Sequence, residues 1–277
     1  MKILVTGANG YLGQGIVKVL LDCGNEVVAA CHHNSEMVDK RAETKIGDIF
    51  SIADPYEYYG QPDVLLHLAW RDGFVHYSNA HINDLPKHVA FITKFAKSNI
   101  TSIAVVGSMH EVGFFEGSID ENTPCRPQSF YGIAKNALRE TTQILCSQNK
   151  KNFFWLRGYY IVGNTKWGSS IFSKITMAAE DGIDHFPFTQ GLNQFDFIDY
   201  EEFCLQIAKT ITQDQISGII NICSGRPEKL ADRVERFIKD NGYKIKLDYG
   251  AFPDRPYDSK AVWGNNQKIA QIMLNCK

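Results

Sequence analysis

Tyr131 and Lys135 stand four residues apart in SFYGIAKNALRE, a spacing that puts both side chains on one face of a helix. A lysine ammonium beside a phenol favours the phenolate, so the pair reads as a proton-transfer couple whose Tyr131 pKa is drawn toward working pH. Ser108 closes the small apolar run of VVGSMHEVG, at the end of a predicted strand and 23 residues before Tyr131. Its hydroxyl can share one substrate oxygen with the phenol. Ser108, Tyr131 and Lys135 are therefore the candidate catalytic residues, a clamp with a proton for a carbonyl or alcohol. Y-x-x-x-K alone is a common match; the strand-end serine and the glycine loop described next make it specific.

TGANGYLG opens the chain directly after the apolar run KILVT. Gly7 permits a tight turn, Gly10 lets backbone approach a pyrophosphate, and Gly13 lets helix and strand pack closely. The first helical residues, Tyr11 and Leu12, offer free amides and the positive end of the helix dipole to phosphate. The loop predicts a dinucleotide site. An acid at the tip of the second strand would bond the adenosine ribose and select NAD. AACHHNSE has none there, so His32 and His33, with Asn34 and Ser35, are assigned to a 2′-phosphate, or else are solvated loop residues. NADP(H) is favoured and NAD(H) stays open. Asp48, beside Ile49 at a third strand end, is expected to bond the adenine amino group.

These residues need a scaffold that brings several strand ends to one edge. Apolar runs at 2–6, 26–31, 64–68, 103–106 and 153–156 alternate with helical patterns at 12–23, 84–97 and 130–147. That alternation predicts an α/β fold, a doubly wound Rossmann parallel sheet, over 1–160 with parts of 190–225. Looser, Gly-punctuated sequence at about 161–190 and 226–277 predicts a smaller C-terminal substrate-binding region at the strands' C-terminal edges. Of the 277 residues 44% are hydrophobic and 22% charged, with net charge -2, which fits a globular protein and argues against nucleic-acid binding. No apolar run reaches the ~18 residues of a membrane span, and no signal peptide is expected before MKILVTG. Seven scattered cysteines without C-x-x-C predict reduced thiols, a cytoplasmic location and no metal site.

On these residues the chain resembles the extended short-chain dehydrogenase/reductases, the NAD-dependent epimerase/dehydratase family, in the branch acting on nucleotide sugars. TGxxGxxG matches at Thr6–Gly13 and the Ser/Tyr/Lys set at Ser108, Tyr131 and Lys135. The resemblance implies that HLAW lines the site, Leu68 and Ala69 on the cofactor and Trp70 toward substrate. It implies an active-site support at Asn83, or alternatively a helix cap or surface residue. It places Arg157 before a substrate-facing turn, with Tyr160 where the family usually has Asn. In FDFIDYEEF, Phe195 replaces the family's phosphate-binding Arg; in FPDRPYDSKAV, Arg255 is the candidate for the substrate diphosphate and Asp258 for holding its loop. A homodimer through the helix at 130–147 is a further expectation.

Within the family, 4,6-dehydratases carry an acid–base pair directly after the catalytic hydroxyl residue. Here Met109 and His110 stand there, and methionine transfers no proton, which argues against elimination. Met109 and His110 are assigned to substrate contact, with a backbone-bonded loop role open for His110; reaching the site with Glu111 would need a register change. The missing NAD-selecting acid, the short chain and the GSMHEVGFFEGSIDENTP segment resemble reductases that turn dTDP-4-keto-6-deoxyglucose into a 6-deoxyhexose such as dTDP-fucose, for surface polysaccharides such as O-antigen lipopolysaccharide. The expected activity is an NAD(P)H-dependent 4-ketoreductase of a nucleotide-activated 4-keto-6-deoxyhexose. The alternative is an NAD-dependent nucleotide-sugar 4-epimerase.

Overall fold

In β1 (Lys2–Thr6), Ile3 and Val5 go to one core cluster and Leu4 to another, the alternation of a strand buried on both faces. The computed structural model describes residues 1–163, 170–253 and 259–275. From β1 the chain runs through α1 (Tyr11–Asp22), β2 (Glu26–Cys31), β3 (Glu43–Ile46), α2 (Pro55–Tyr58), β4 (Val64–His67), α3 (Ala80–Ala96), β5 (Ser102–Ser108) and β6 (Gly117–Ile119). It continues through α4 (Phe130–Gln148), β7 (Asn152–Gly158), β8 (Tyr160–Val162), α5 (Ile171–Glu180), β9 (His185–Phe188), β10 (Gln194–Asp199) and α6 (Tyr200–Ile211). It ends with β11 (Gly218–Ile222), β12 (Pro227–Lys229), α7 (Leu230–Asp240), β13 (Lys246–Tyr249), β14 (Ala261–Gly264) and α8 (Gln267–Asn275).

Seven strands form one parallel sheet in the order β3-β2-β1-β4-β5-β7-β11. This is the predicted doubly wound α/β architecture. One face packs against Ile16, Val17 and Leu20 of α1, Phe203 and Ile207 of α6, and Ile269 and Ile272 of α8. The other packs against Phe91 and Phe95 of α3 and Leu138 and Cys146 of α4. Each fully buried Leu, Ile or Phe contributes roughly 1.5–3 kcal/mol. The strand order reverses between β1 and β4, and the C-terminal ends there, Thr6 and His67, flank the crevice where this architecture binds ligands.

A second sheet, β12-β10-β14-β6 with β8 on β10, and a parallel pair β9–β13 enclose a third core rich in Phe172, Phe188, Phe195, Phe197 and Phe237. Met109 and Val112, directly after β5, and Ile119 of β6 also belong to that core. Asp196 joins its pieces: its buried carboxylate accepts from Ser224 N and Oγ, Gly225 N and Gly264 N at 2.6–3.0 Å. Among the described residues no helix is long and apolar enough to cross a membrane.

Candidate active site

The glycine loop is built for close approach. Gly7 has φ +70°, and a Cβ there would stand 2.9 Å from Ala69 N and Cα. A Cβ on Gly13 would stand 2.4 Å from Gly7 O, so the start of α1 lies against the loop only because residue 13 is glycine. No side chain caps the N-terminus of α1. The amides that open the helix are thus left for a ligand, and a pyrophosphate fits the cradle. The helix start is held from far along the chain. Tyr200 stacks on Tyr11 at 4.6 Å, donates its hydroxyl proton to Tyr11 O and accepts from Gly15 N at 3.0 Å.

At the adenosine end, His32 and His33 are exposed and bonded to each other, Nδ1 to Nε2, at 2.7 Å. Asn34 accepts from Asn9 Nδ2 at 2.8 Å, tying the strand tip to the glycine loop. Arg41, the guanidinium closest in sequence, is committed to Asp39 and Asp22. This environment gives the expected NADP(H) preference no support. Asp48 is exposed, and its Oδ1 caps the following turn by accepting from Phe50 N at 3.0 Å; Ile49 is buried in the core rather than lining the surface.

At the reacting end, Ser129 caps α4 by accepting from Gly132 N at 3.1 Å, which fixes the helix start just ahead of Tyr131. Buried Ala134, Leu138, Thr142 and Cys146 turn that face inward and carry Lys135 with it, 4% exposed. Lys135 Nζ donates to Val106 O at 2.8 Å and stands 3.9 Å over the Trp70 ring and 5.9 Å from the Tyr131 ring centroid. Ser108, at the end of β5, accepts from His110 N at 3.3 Å. Burial pushes the Tyr131 phenol up to about 12, with the Ser108 hydroxyl working against it. Burial also pulls Lys135 down to about 7. The expected lowering of Tyr131 by Lys135 does not appear: burial, with Glu111 adding to it, outweighs the Ser108 hydroxyl, and the phenol keeps its proton at neutral pH.

Five histidines crowd this end. His76 stacks on Tyr131 at 5.2 Å and 9°, and His110 meets His76 at 4.4 Å. His81 lies edge-on to Tyr131 at 5.3 Å and accepts from Trp70 Nε1 at 3.0 Å. His67 bonds Thr6 and His88, each at 2.8 Å. Burial pulls His110 down to about 4 and His88 to about 3, and holds His67 well below its ordinary value, so all three are neutral. Among the described residues no group of histidines, cysteines and carboxylates could hold a metal.

Several predicted contacts fall elsewhere. Met109, expected on substrate, is 7% exposed and packs in the third core with Tyr159, because the chain turns inward after Ser108. Trp70, also expected on substrate, lies beneath Lys135 and stacks on His88 at 4.5 Å. Tyr160 packs on Phe195 and Phe197 at 4.7 and 5.8 Å. Leu68 and Ala69 both donate backbone amides to Thr6 Oγ1 at 3.2 Å. Asn83 is exposed on α3, whose inward face carries His81 and His88 instead. Arg157, near the end of β7, is wholly buried and bonds Glu111 at 2.5 Å and Asp120 O at 2.9 Å. Glu111 also accepts from Trp155 Nε1. Burial raises that carboxyl and Arg157 opposes the rise, so Glu111 is spent inside the fold. Arg255 and Asp258 lie outside the described residues.

Known proteins resemble this chain in sequence and in fold. The sequence model described as the NAD dependent epimerase/dehydratase family matches residues 3–223. A dTDP-6-deoxy-L-talose 4-dehydrogenase (NAD(+)) from Aggregatibacter actinomycetemcomitans is 43% identical over 269 residues, 95% of this chain and 99% of the relative. Among solved structures, a UDP-glucuronic acid 4-epimerase from Bacillus cereus superposes with TM-score 0.84 at 18% identity, over 99% of this chain and 93% of that one. A dTDP-glucose 4,6-dehydratase from Streptomyces venezuelae superposes with TM-score 0.81 at 16% identity, over 98% and 90%. The two structures speak to the fold alone.

Proposed function

The chain belongs to the NAD-dependent epimerase/dehydratase family, and on that footing we propose that it is an NAD(H)-dependent oxidoreductase acting at C4 of a dTDP-linked 6-deoxyhexose, interconverting the 4-alcohol and the 4-ketone. The observation that carries this reading is the 43% identity, spread over 95% of the chain, with a relative named for that chemistry. A dinucleotide bound at the glycine loop supplies hydride exchange.

The chain's own residues handle the proton. In the reducing direction Tyr131, protonated at neutral pH, gives its proton to the oxygen developing at C4. Ser108 donates a hydrogen bond to the same oxygen, and the Lys135 ammonium stabilises the phenolate left behind and holds a ribose hydroxyl. In the oxidising direction the same proton returns to Tyr131. Elimination of water lacks its groups, since Met109 is buried in the core and Glu111 is held by Arg157 and Trp155. NAD(H) replaces the NADP(H) expected from the sequence; the commitment of Arg41 to two carboxylates and the relative's NAD(+) support that choice.

The test is to mix purified protein with dTDP-6-deoxy-L-talose and NAD(+), or with a dTDP-4-keto-6-deoxyhexose and NADH or NADPH, and follow the reduced-nicotinamide band. Change matched by sugar product, faster with NAD(H), is the expected result. Sugar conversion at C4 with no net change in the band would replace this reading by the 4-epimerase.

A further inference from the structure

Proton bookkeeping around Thr6 assigns the buried histidines. The Thr6 hydroxyl accepts from the amides of Leu68 and Ala69, which occupies both lone pairs, so its own proton goes to His67 Nδ1 at 2.8 Å. His67 then carries its proton on Nε2 and donates it to His88 Nδ1 at 2.8 Å. The His88 ring stacks on Trp70 at 4.5 Å and 22°. Trp70 in turn donates Nε1–H to His81 Nδ1, and His81 passes its own Nε2–H to Val75 O at 3.0 Å. The indole is fixed by the His88 stack and by its own bond to His81.

Lys135 Nζ stands over that indole, 3.9 Å from the ring centroid, and one of its three protons goes to Val106 O. The groups that bear on the ammonium are Tyr131 from its own helix, Glu111 from the segment after β5, His67 at the end of β4 and His88 from α3. His67 and His88 are neutral, and Glu111 is already paired with Arg157. Among the described residues no carboxylate bonds the ammonium, and the indole face lies directly beneath its charge. A desolvated cation over a Trp face gains more than an exposed one.

We propose that Trp70 is the positioning residue of Lys135: its indole face seats the ammonium that the reaction uses, and the Thr6–His67–His88 chain with His81 holds the indole there. This rests on the role given to Lys135 above. The Trp70 assignment replaces the substrate contact expected from the sequence.

The experiment is a pH titration of Lys135 by NMR on protein carrying isotope-labelled lysine, in the parent, Trp70→Phe and Trp70→Leu, with Lys135→Arg to assign the signal. Thermal melts check folding, and Trp70→Phe keeps a ring in place should the leucine variant not fold. The expected result is a midpoint that falls in the order Trp, Phe, Leu, by about one pH unit at the end of the series. In turnover, the alkaline limb of kcat moves down by the same amount while the KM for sugar holds. A lysine midpoint unchanged in both variants overturns the proposal. The titration needs no sugar: a shifted midpoint without turnover of any dTDP-sugar would sink the function reading and leave this one standing.

Discussion

Tyr131 carries the sharpest expectation at the scale of one residue. Tyr131→Phe removes the transferable proton and leaves the glycine loop intact, so turnover should fall roughly a hundred- to ten-thousand-fold while NADH binding, read by titration calorimetry, persists. A variant that keeps full turnover would rule out the phenol as acid. Thr6→Val is a test of the hydrogen-bond hub. It removes the acceptor of the Ala69 amide and the proton donated to His67, while the Leu68 amide keeps Thr6 O, and urea denaturation should show a loss of roughly 1–3 kcal/mol. Much of this chemistry was legible in the sequence. Ser108, Tyr131 and Lys135 declare themselves by local spacing, one turn of helix and one strand end. The histidine network does not, because Thr6 and His67 are 61 residues apart and meet only when β1 and β4 pair. One local signal was available: His81 and His88 are seven apart, the spacing that returns to the same helix face, and both fall on the buried side of α3.

At the scale of elements, the junction of β1, the glycine loop and α1 was readable because each glycine answers a separate steric demand. Gly13→Ala would drive a methyl into Gly7 O and Ala8. The helix must then shift, with a loss on the order of 1–3 kcal/mol in stability and weaker NADH binding measured in the same preparation. The turn after β5 was not readable. Met109 and His110 looked like substrate contacts, yet Met109 enters the interior among aromatics, and Glu111 beyond it goes inward onto Arg157 and Trp155. A charged pair between distant segments leaves no local pattern, and its cost appears only on breaking it. Glu111→Gln leaves the Arg157 guanidinium buried without its counter-charge and should cost roughly 3–5 kcal/mol in denaturant unfolding. α3 begins at Ala80, earlier than the apolar periodicity suggested, because its first turn carries His81 toward Trp70 instead of an aliphatic side chain.

For the molecule as a whole, the neutral histidines set an acid limit. His67 and His88 are 1% and 3% exposed and titrate far below the ordinary histidine value, His88 at about 3. Between that value and about 6.5 the unfolded chain binds protons that the folded chain refuses, so stability falls as pH drops through this window. The slope should be on the order of 1.4 kcal/mol per pH unit for each histidine, and Thr6→Val, which loosens their chain, should flatten it in melts recorded from neutral to acid pH. The surface offers one more expectation. Ile133 and Ile144 lie on one exposed face of α4, eleven residues apart, at 43% and 56% exposure, which suits a homodimer through that helix. Sedimentation should show dimers that Ile133→Glu together with Ile144→Glu dissociates. Tyr200 has a different kind of reach. By clasping the start of α1 from the far half of the chain, it makes the nucleotide cradle a product of two stretches that a recombination point would separate. A chimera that grafts residues 1–163 onto a partner without a tyrosine at this place would inherit the glycines and lose their latch. The two halves must therefore be inherited, or engineered, together.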